Sequence, residues 1–122
     1  MVLCLAHEQR EPFVSPPRLS ARHVIHTVGP VYSGKPSDAD LLAACHVSCL
    51  RLAETLGLRS IAFPAISTGV YGYPIHEASR VAAGAIASHL REGSPLKLVR
   101  FVLFGPEAWA EFAAAIEEAL RS

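Results

Sequence analysis

The sequence predicts an α/β fold with a mostly parallel sheet, and three observations carry that expectation. Apolar residues make up 51% of the 122 positions and charged ones 18%, a balance that excludes disorder and suits one compact core. Runs of strand length near 23–28, 60–64 and 97–104 are each followed by a stretch of helical periodicity. The second run meets its helix through Ala65-Ile66-Ser67-Thr68-Gly69-Val70-Tyr71-Gly72-Tyr73-Pro74, a Ser/Thr/Gly-rich junction rather than a plain turn. Strand, helix, strand, helix, strand, helix implies parallel strands with helices packed on the sheet faces. Length fits one domain over 1–122.

Residues 7–22 are rich in Pro, Arg and Glu, and Pro12, Pro16 and Pro17 make them read as loop. His23-Val24-Ile25-His26-Thr27-Val28 is β-branched and ends at Gly29-Pro30, a strand closing into a turn. Ser37 is a candidate cap for a helix whose first turn holds Asp38 and Asp40, where negative charge suits the dipole. Leu42, Cys45, Cys49, Leu52 and Leu56 share one face of that helix, and Gly57 stops it. After the strand at 60–64 a helix near 75–91 is expected, with Val81, Ala82, Ala85 and Leu90 inward and Gly93 beyond its end. A strongly apolar strand follows at 97–104. Pro106 then opens a last helix with Trp109, Phe112, Ala113, Ile116 and Leu120 on one stripe.

In parallel sheets ligands bind beyond the carboxyl ends of the strands, which is where the 65–74 junction falls. Glycines there let the backbone turn successive N–H groups toward one point, and the next helix adds a partial positive charge. That combination suits an anion such as a diphosphate. Formal net charge is zero and the basic residues are scattered, so neither a nucleic-acid surface nor an anionic membrane is a predicted partner. Any phosphate site must be local.

Other chemistry-bearing residues read more plainly. Cys45 and Cys49 bracket His46 but lie on the apolar stripe, whereas His46 points elsewhere, so no metal is expected. His23 and His26 face opposite sides of their strand. Glu77 complements a helix dipole, and His76 shows no partner carboxylate in the sequence. Ser67 lacks a base and an acid that would make it a nucleophile. Phe104 ends an apolar strand and by itself reads as core.

The runs Ala21-Arg22-His23-Val24-Ile25-His26-Thr27-Val28-Gly29-Pro30, Leu58-Arg59-Ser60-Ile61-Ala62-Phe63-Pro64 and the whole 65–74 loop resemble macrodomains, the family that binds ADP-ribose and its derivatives. The likeness covers about Leu19 to the C-terminus and implies a three-layer α/β/α macrodomain fold. It further implies that the backbone of Ser67, Thr68, Gly69, Val70 and Gly72 wraps the diphosphate. Tyr71 would then lie against the distal ribose, and Phe104 would stack near the adenine. Such stacking is worth about 1–3 kcal/mol.

The chain departs from the family in one large respect. It has no asparagine, and its two aspartates are Asp38 and Asp40, so the family's catalytic Asn-Ala-Ala-Asn strand and adenine-recognising aspartate have no counterpart. The Gly-rich loop and helix that follow that strand in the family are missing too. The chain therefore reads as N-terminally truncated relative to the family. The missing strand is expected between those at 60–64 and 97–104, leaving open sheet edges that favour self-association. Val2–Ala6 is a candidate replacement strand.

The resemblance implies binding, and in the hydrolytic branch hydrolysis, of O-acetyl-ADP-ribose or ADP-ribosylated macromolecules. A non-catalytic module and an inactive remnant are the alternatives; the catalytic residues stay unassigned and no cofactor is implied. Three cysteines, no cationic leader and no long apolar span predict a cytoplasmic protein.

Overall fold

A computed structural model describes the backbone at residues 2–6 and 13–15 and the chain with its side chains from 23 to 121. Its elements are β1 (Val2–Ala6), β2 (Phe13–Ser15), β3 (His23–Thr27), α1 (Ser37–Thr55), β4 (Ser60–Phe63), α2 (Ile75–Arg91), β5 (Leu98–Phe101) and α3 (Pro106–Arg121). The sheet order is β2-β3-β1-β4-β5. The last four of these run parallel, and β2 closes one edge antiparallel to β3. The expected α/β fold with a mostly parallel sheet is therefore present.

Val2–Ala6 does form a strand. It runs beside β3 from Val2 opposite His23 to Ala6 opposite Thr27, and beside β4 with Leu3 opposite Ala62. The expected gap lies elsewhere than anticipated, because β4 and β5 pair directly, Ser60 with Leu98 through Phe63 with Phe101. No strand position is left between them; the inserted strand separates β3 from β4. The reading of 7–22 as loop throughout is corrected as well. Phe13–Ser15 pairs antiparallel with Ile25 and its neighbours as the edge strand.

Among the described residues α2 touches both α1 and α3, and the helices pack on the sheet. The core between them joins Ile25, Ile61 and Phe63 to Leu42, Cys49, Leu50, Ile66 and Ile86. Phe63, Phe101 and Phe112 form a chain of rings with centroids 6.0 and 4.8 Å apart. Burying an aromatic or branched side chain contributes about 1.5–3 kcal/mol, so this cluster dominates the stability of the sheet–helix contact.

Three helix faces differ from the sequence reading. On α1 His46 is buried to 1% exposure with its ring 5.1 Å from Phe63, while Leu56 sits exposed at the C-cap. Imidazole is apolar enough to enter the core once its Nδ1–H donates to Leu42 O at 2.8 Å. Ser37 does not cap the helix; Pro36 holds the cap position without a side-chain bond. On α2 the buried residues are Ala78, Ser79, Ala82, Ala83 and Ile86; of the four expected inward only Ala82 is among them, while Val81, Ala85 and Leu90 are half-buried, because this helix packs against two neighbours. On α3 the buried residues are Ala108, Phe112 and Ala115, whereas Trp109, Ile116 and Leu120 face solvent. The helix turns Phe112 toward Phe101 and packs chiefly against α2, and its flanking apolar residues stay exposed.

Candidate functional site

The parallel strands end along one edge of the sheet, where the connections 28–36, 64–74 and 102–105 meet. Bonds between neighbouring connections hold them together. Val102 N donates to Phe63 O at 2.8 Å, and Tyr32 N donates to Tyr71 O at 2.9 Å. The rings of Tyr32 and Tyr73 pack at 4.9 Å. Asp38 reaches back from α1 to fix the first connection, accepting from Ser33 N and Gly34 N at 2.8 and 2.9 Å and from Ser33 Oγ at 2.8 Å. The hydrogen bond from Ser33 N is the main reason its carboxyl is held below the usual carboxylate range.

Within 64–74 the chain folds on itself. Thr68 donates to Ala65 O through both its N–H (3.3 Å) and its hydroxyl (2.8 Å). Ile66 N donates to Pro64 O, Gly72 N to Gly69 O at 3.0 Å, and Tyr73 N to Ser67 O at 2.9 Å. The N–H groups of Ser67, Gly69, Val70 and Tyr71 have no acceptor among the described residues. Of the five backbone positions expected to face a diphosphate, Thr68 and Gly72 thus spend their donors inside the loop. The free donors are a slightly different set that includes Tyr71.

Ser67 is the strained point of this loop, with φ at +69°, a region that disfavours side chains. Its buried hydroxyl has no hydrogen-bond partner among the described residues. It rests on Gly29, where an added Cβ would lie 2.2 Å from Ser67 Oγ and 2.4 Å from Ile66 Cγ2. Gly72 has φ +73°, so glycine is required there by the backbone, whereas Gly69 has open space around the position of a Cβ. Val70 at the crest is fully exposed at 101%. Phe104 is 90% exposed, which overturns its reading as core and leaves its ring free at the carboxyl edge of the sheet. Pro74 starts α2 without a side-chain cap, so the positive end of that dipole stays open beside the loop.

Next to the loop lies a cleft of about 520 Å³ whose wall includes Tyr32, Lys35, Tyr73, His76, Glu77 and Arg80. His76 has the carboxylate partner that the sequence did not reveal: its Nδ1 lies 2.7 Å from Glu111 Oε2 on α3. Arg80 also binds Glu111, at 2.6 Å, and reaches Glu118 at 3.3 Å. Burial opposes ionisation of Glu111, but the hydrogen bonds from His76 and Arg80 outweigh it and hold the carboxyl below its ordinary range. No periodicity in the sequence brings positions 76 and 111 together; only the packing of α2 on α3 does.

Cys45 and Cys49 are buried in the core. Cys45 Sγ lies 3.2 Å from Thr27 Oγ1, and a hydrogen bond with Cys49 together with burial pushes its thiol far up. Among the described residues no three His, Cys, Asp or Glu side chains are grouped to hold a metal ion. No helix there is long and apolar enough to cross a membrane.

Comparisons with known proteins agree with this fold. The Macro domain family matches residues 13–82, beginning earlier than the resemblance read from the sequence. A macro domain-containing protein of Streptomyces griseus is 52% identical over 95 residues, covering 78% of this chain and 52% of the relative. One from Caldanaerobacter subterraneus is 44% identical over 101 residues, covering 82% of this chain and 57% of the relative. The chain spans about half the length of these curated relatives. Among solved structures, a mutant Oceanobacillus iheyensis macrodomain with ADPR superposes at a TM-score of 0.84 with 37% identity, over 92% of this chain and 61% of that one. A Trypanosoma brucei macrodomain in complex with ADP-ribose gives 0.78 and 38%, over 86% and 44%. The chain belongs to the macro domain family.

Proposed function

We propose that this chain binds ADP-ribose or a derivative through its 65–74 loop. The supporting observation is the run of free N–H groups at Ser67, Gly69, Val70 and Tyr71, held by a left-handed Ser67 beside the open N-terminus of α2. Backbone strain retained in such a loop is what preorganised anion binding requires. The ligands printed for the Oceanobacillus and Trypanosoma macrodomains point the same way. In this reading Tyr71 flanks the distal ribose and Phe104 offers its exposed ring to the adenine. ADP-ribosylated macromolecules are the wider ligand class, and buried Cys45 and Cys49, which are in no disulfide, fit a reducing, cytoplasmic setting.

Calorimetric titration with ADP-ribose tests this. Gly69→Glu is expected to abolish binding, because it places a carboxylate before the free donors at a site with room to accommodate it in the fold. Unchanged binding by a folded Gly69→Glu variant removes the loop from the argument.

Hydrolysis of O-acetyl-ADP-ribose or of protein-linked ADP-ribose is the second reading. What supports it is His76 in the first turn of α2, whose Nδ1 lies 2.7 Å from Glu111 Oε2 on α3, a pair that would carry a proton in this reading. Turnover by the wild type and its loss in His76→Ala separates it from a non-catalytic module.

Self-association is proposed through the β5 side of the sheet, where Leu98, Val102, Phe104 and Trp109 are exposed.

A further inference from the structure

We propose that Asp38 is a positioning residue for the distal end of the ligand site, acting through Tyr32 and Tyr71, and that it sets the preference for ADP-ribose over ADP. This rests on the loop reading above, with Tyr71 beside the distal ribose, and names the residue that fixes Tyr71.

The chain of contacts begins with a carboxylate that has no cation. Asp38 is buried in the first turn of α1 and takes part in none of the ion pairs among the described residues. Burying such a charge is costly unless donors surround it. Here Ser33 N, Ser33 Oγ and Gly34 N all donate to it, at 2.8, 2.8 and 2.9 Å, and its own N–H donates to Lys35 O at 3.0 Å. Residues 33–35 are thereby tied to α1, mostly by charge-assisted bonds, the stronger kind.

Tyr32 adjoins that anchored segment. Its N–H donates to Tyr71 O at 2.9 Å, and its ring packs on Tyr73 at 4.9 Å. The peptide group that carries Tyr71 O also carries Gly72 N, which donates to Gly69 O at 3.0 Å. A peptide is planar, so bonds at both of its ends fix its orientation. One of those bonds comes from inside the loop and the other from Tyr32. Where Tyr32 is held therefore decides how Tyr71 faces the site. The charge of Asp38 is also felt in the loop: burial, and after it this charge, pushes the Tyr73 phenol up.

Asparagine cannot stand in for Asp38, because it offers one oxygen and turns an NH2 group toward donors that need an acceptor. Asp40 is the contrast within the same helix. It shares the first turn and its dipole, but it is exposed and accepts none of these bonds.

Calorimetric titration of the full chain with ADP-ribose, and with ADP, which lacks the distal ribose, tests this. Asp38→Asn is expected to lose about tenfold in affinity for ADP-ribose, the scale of one hydrogen bond to a charged group, and to keep its affinity for ADP within about twofold. Asp40→Asn is expected to leave both affinities unchanged. A merely structural role would lower both ligands together, so equal losses in a folded Asp38→Asn overturn the proposal and leave the loop reading intact. No change in either ligand overturns it too, as does the same split in Asp40→Asn. If Asp38→Asn does not fold, Ser33→Ala removes one donor to the carboxylate at an exposed position and is expected to show the same split at about threefold. Equal effects on the two ligands there overturn the proposal. A wild type that binds neither ligand overturns the loop reading together with this one.

Discussion

Gly29 is packed so closely beneath the loop that a single methyl group there collides with both Ser67 and Ile66. Gly29→Ala must push the loop off its seat, at a cost of about 1–3 kcal/mol for overpacking. It is expected to lower the melting temperature and to weaken ADP-ribose binding together; a variant that keeps full affinity would show that Ser67 need not sit where it does. His46 makes a separate prediction. Its folded pKa is lowered to about 4, chiefly by burial, from an unfolded value of 6.5. Protons therefore bind the unfolded chain preferentially between those values, so stability present above pH 6.5 falls as the pH drops toward 4. The loss is on the order of 3 kcal/mol. Urea midpoints measured across this range are expected to decline in the wild type and to stay flat in His46→Leu down to about pH 5. Below the unfolded value of 3.8 for Asp38 its lowered carboxyl adds a further acid loss of the same sign. The sequence pointed to Gly69, Gly72 and Tyr71 because their order along the chain is itself the signal. It did not point to Gly29 as the floor of Ser67, since nothing local marks a contact between positions 29 and 67.

At the level of single elements, α3 separates periodicity from packing most clearly. The sequence reading put Trp109, Phe112, Ala113, Ile116 and Leu120 on one stripe; of these Phe112 is buried as expected, while Trp109, Ile116 and Leu120 are not. The structure seats Phe112 against Phe101 and buries small alanines on either side, because close approach to α2 needs small residues at the contact. Phe112→Ala is expected to cost about 3–5 kcal/mol, and Trp109→Ser to stay within about 0.5 kcal/mol, in chemical denaturation. Comparable losses from the two would mean that α3 packs on its other face. The α1 stripe was legible through Leu42, Cys45 and Cys49, but not the entry of His46, whose burial depends on Phe63 from another element. The 75–91 helix and the 60–63 strand fell where caps, glycines and β-branched residues placed them.

For the molecule as a whole, the open side of β5 has the most direct consequence. That edge carries Leu98 and leads to exposed Val102, Phe104 and Trp109, an apolar margin of the kind that pairs with other chains. Sedimentation velocity over a wide concentration range is expected to show reversible self-association, reduced in Leu98→Lys. A monomer at every concentration argues that the margin is kept soluble by its flanking charges. The fold class, the strand-to-helix order and the Ser/Thr/Gly-rich connection at 65–74 were legible in the amino-acid sequence alone. Hydrophobic period, glycine placement and turn chemistry act over a few residues and are written in their order. The tertiary structure alone decided that β1 enters between β3 and β4, that His76 meets Glu111, and that Asp38 and Gly29 hold the loop's neighbours in place. Each of these joins positions far apart in the chain, and such contacts come into being only when helices and strands pack.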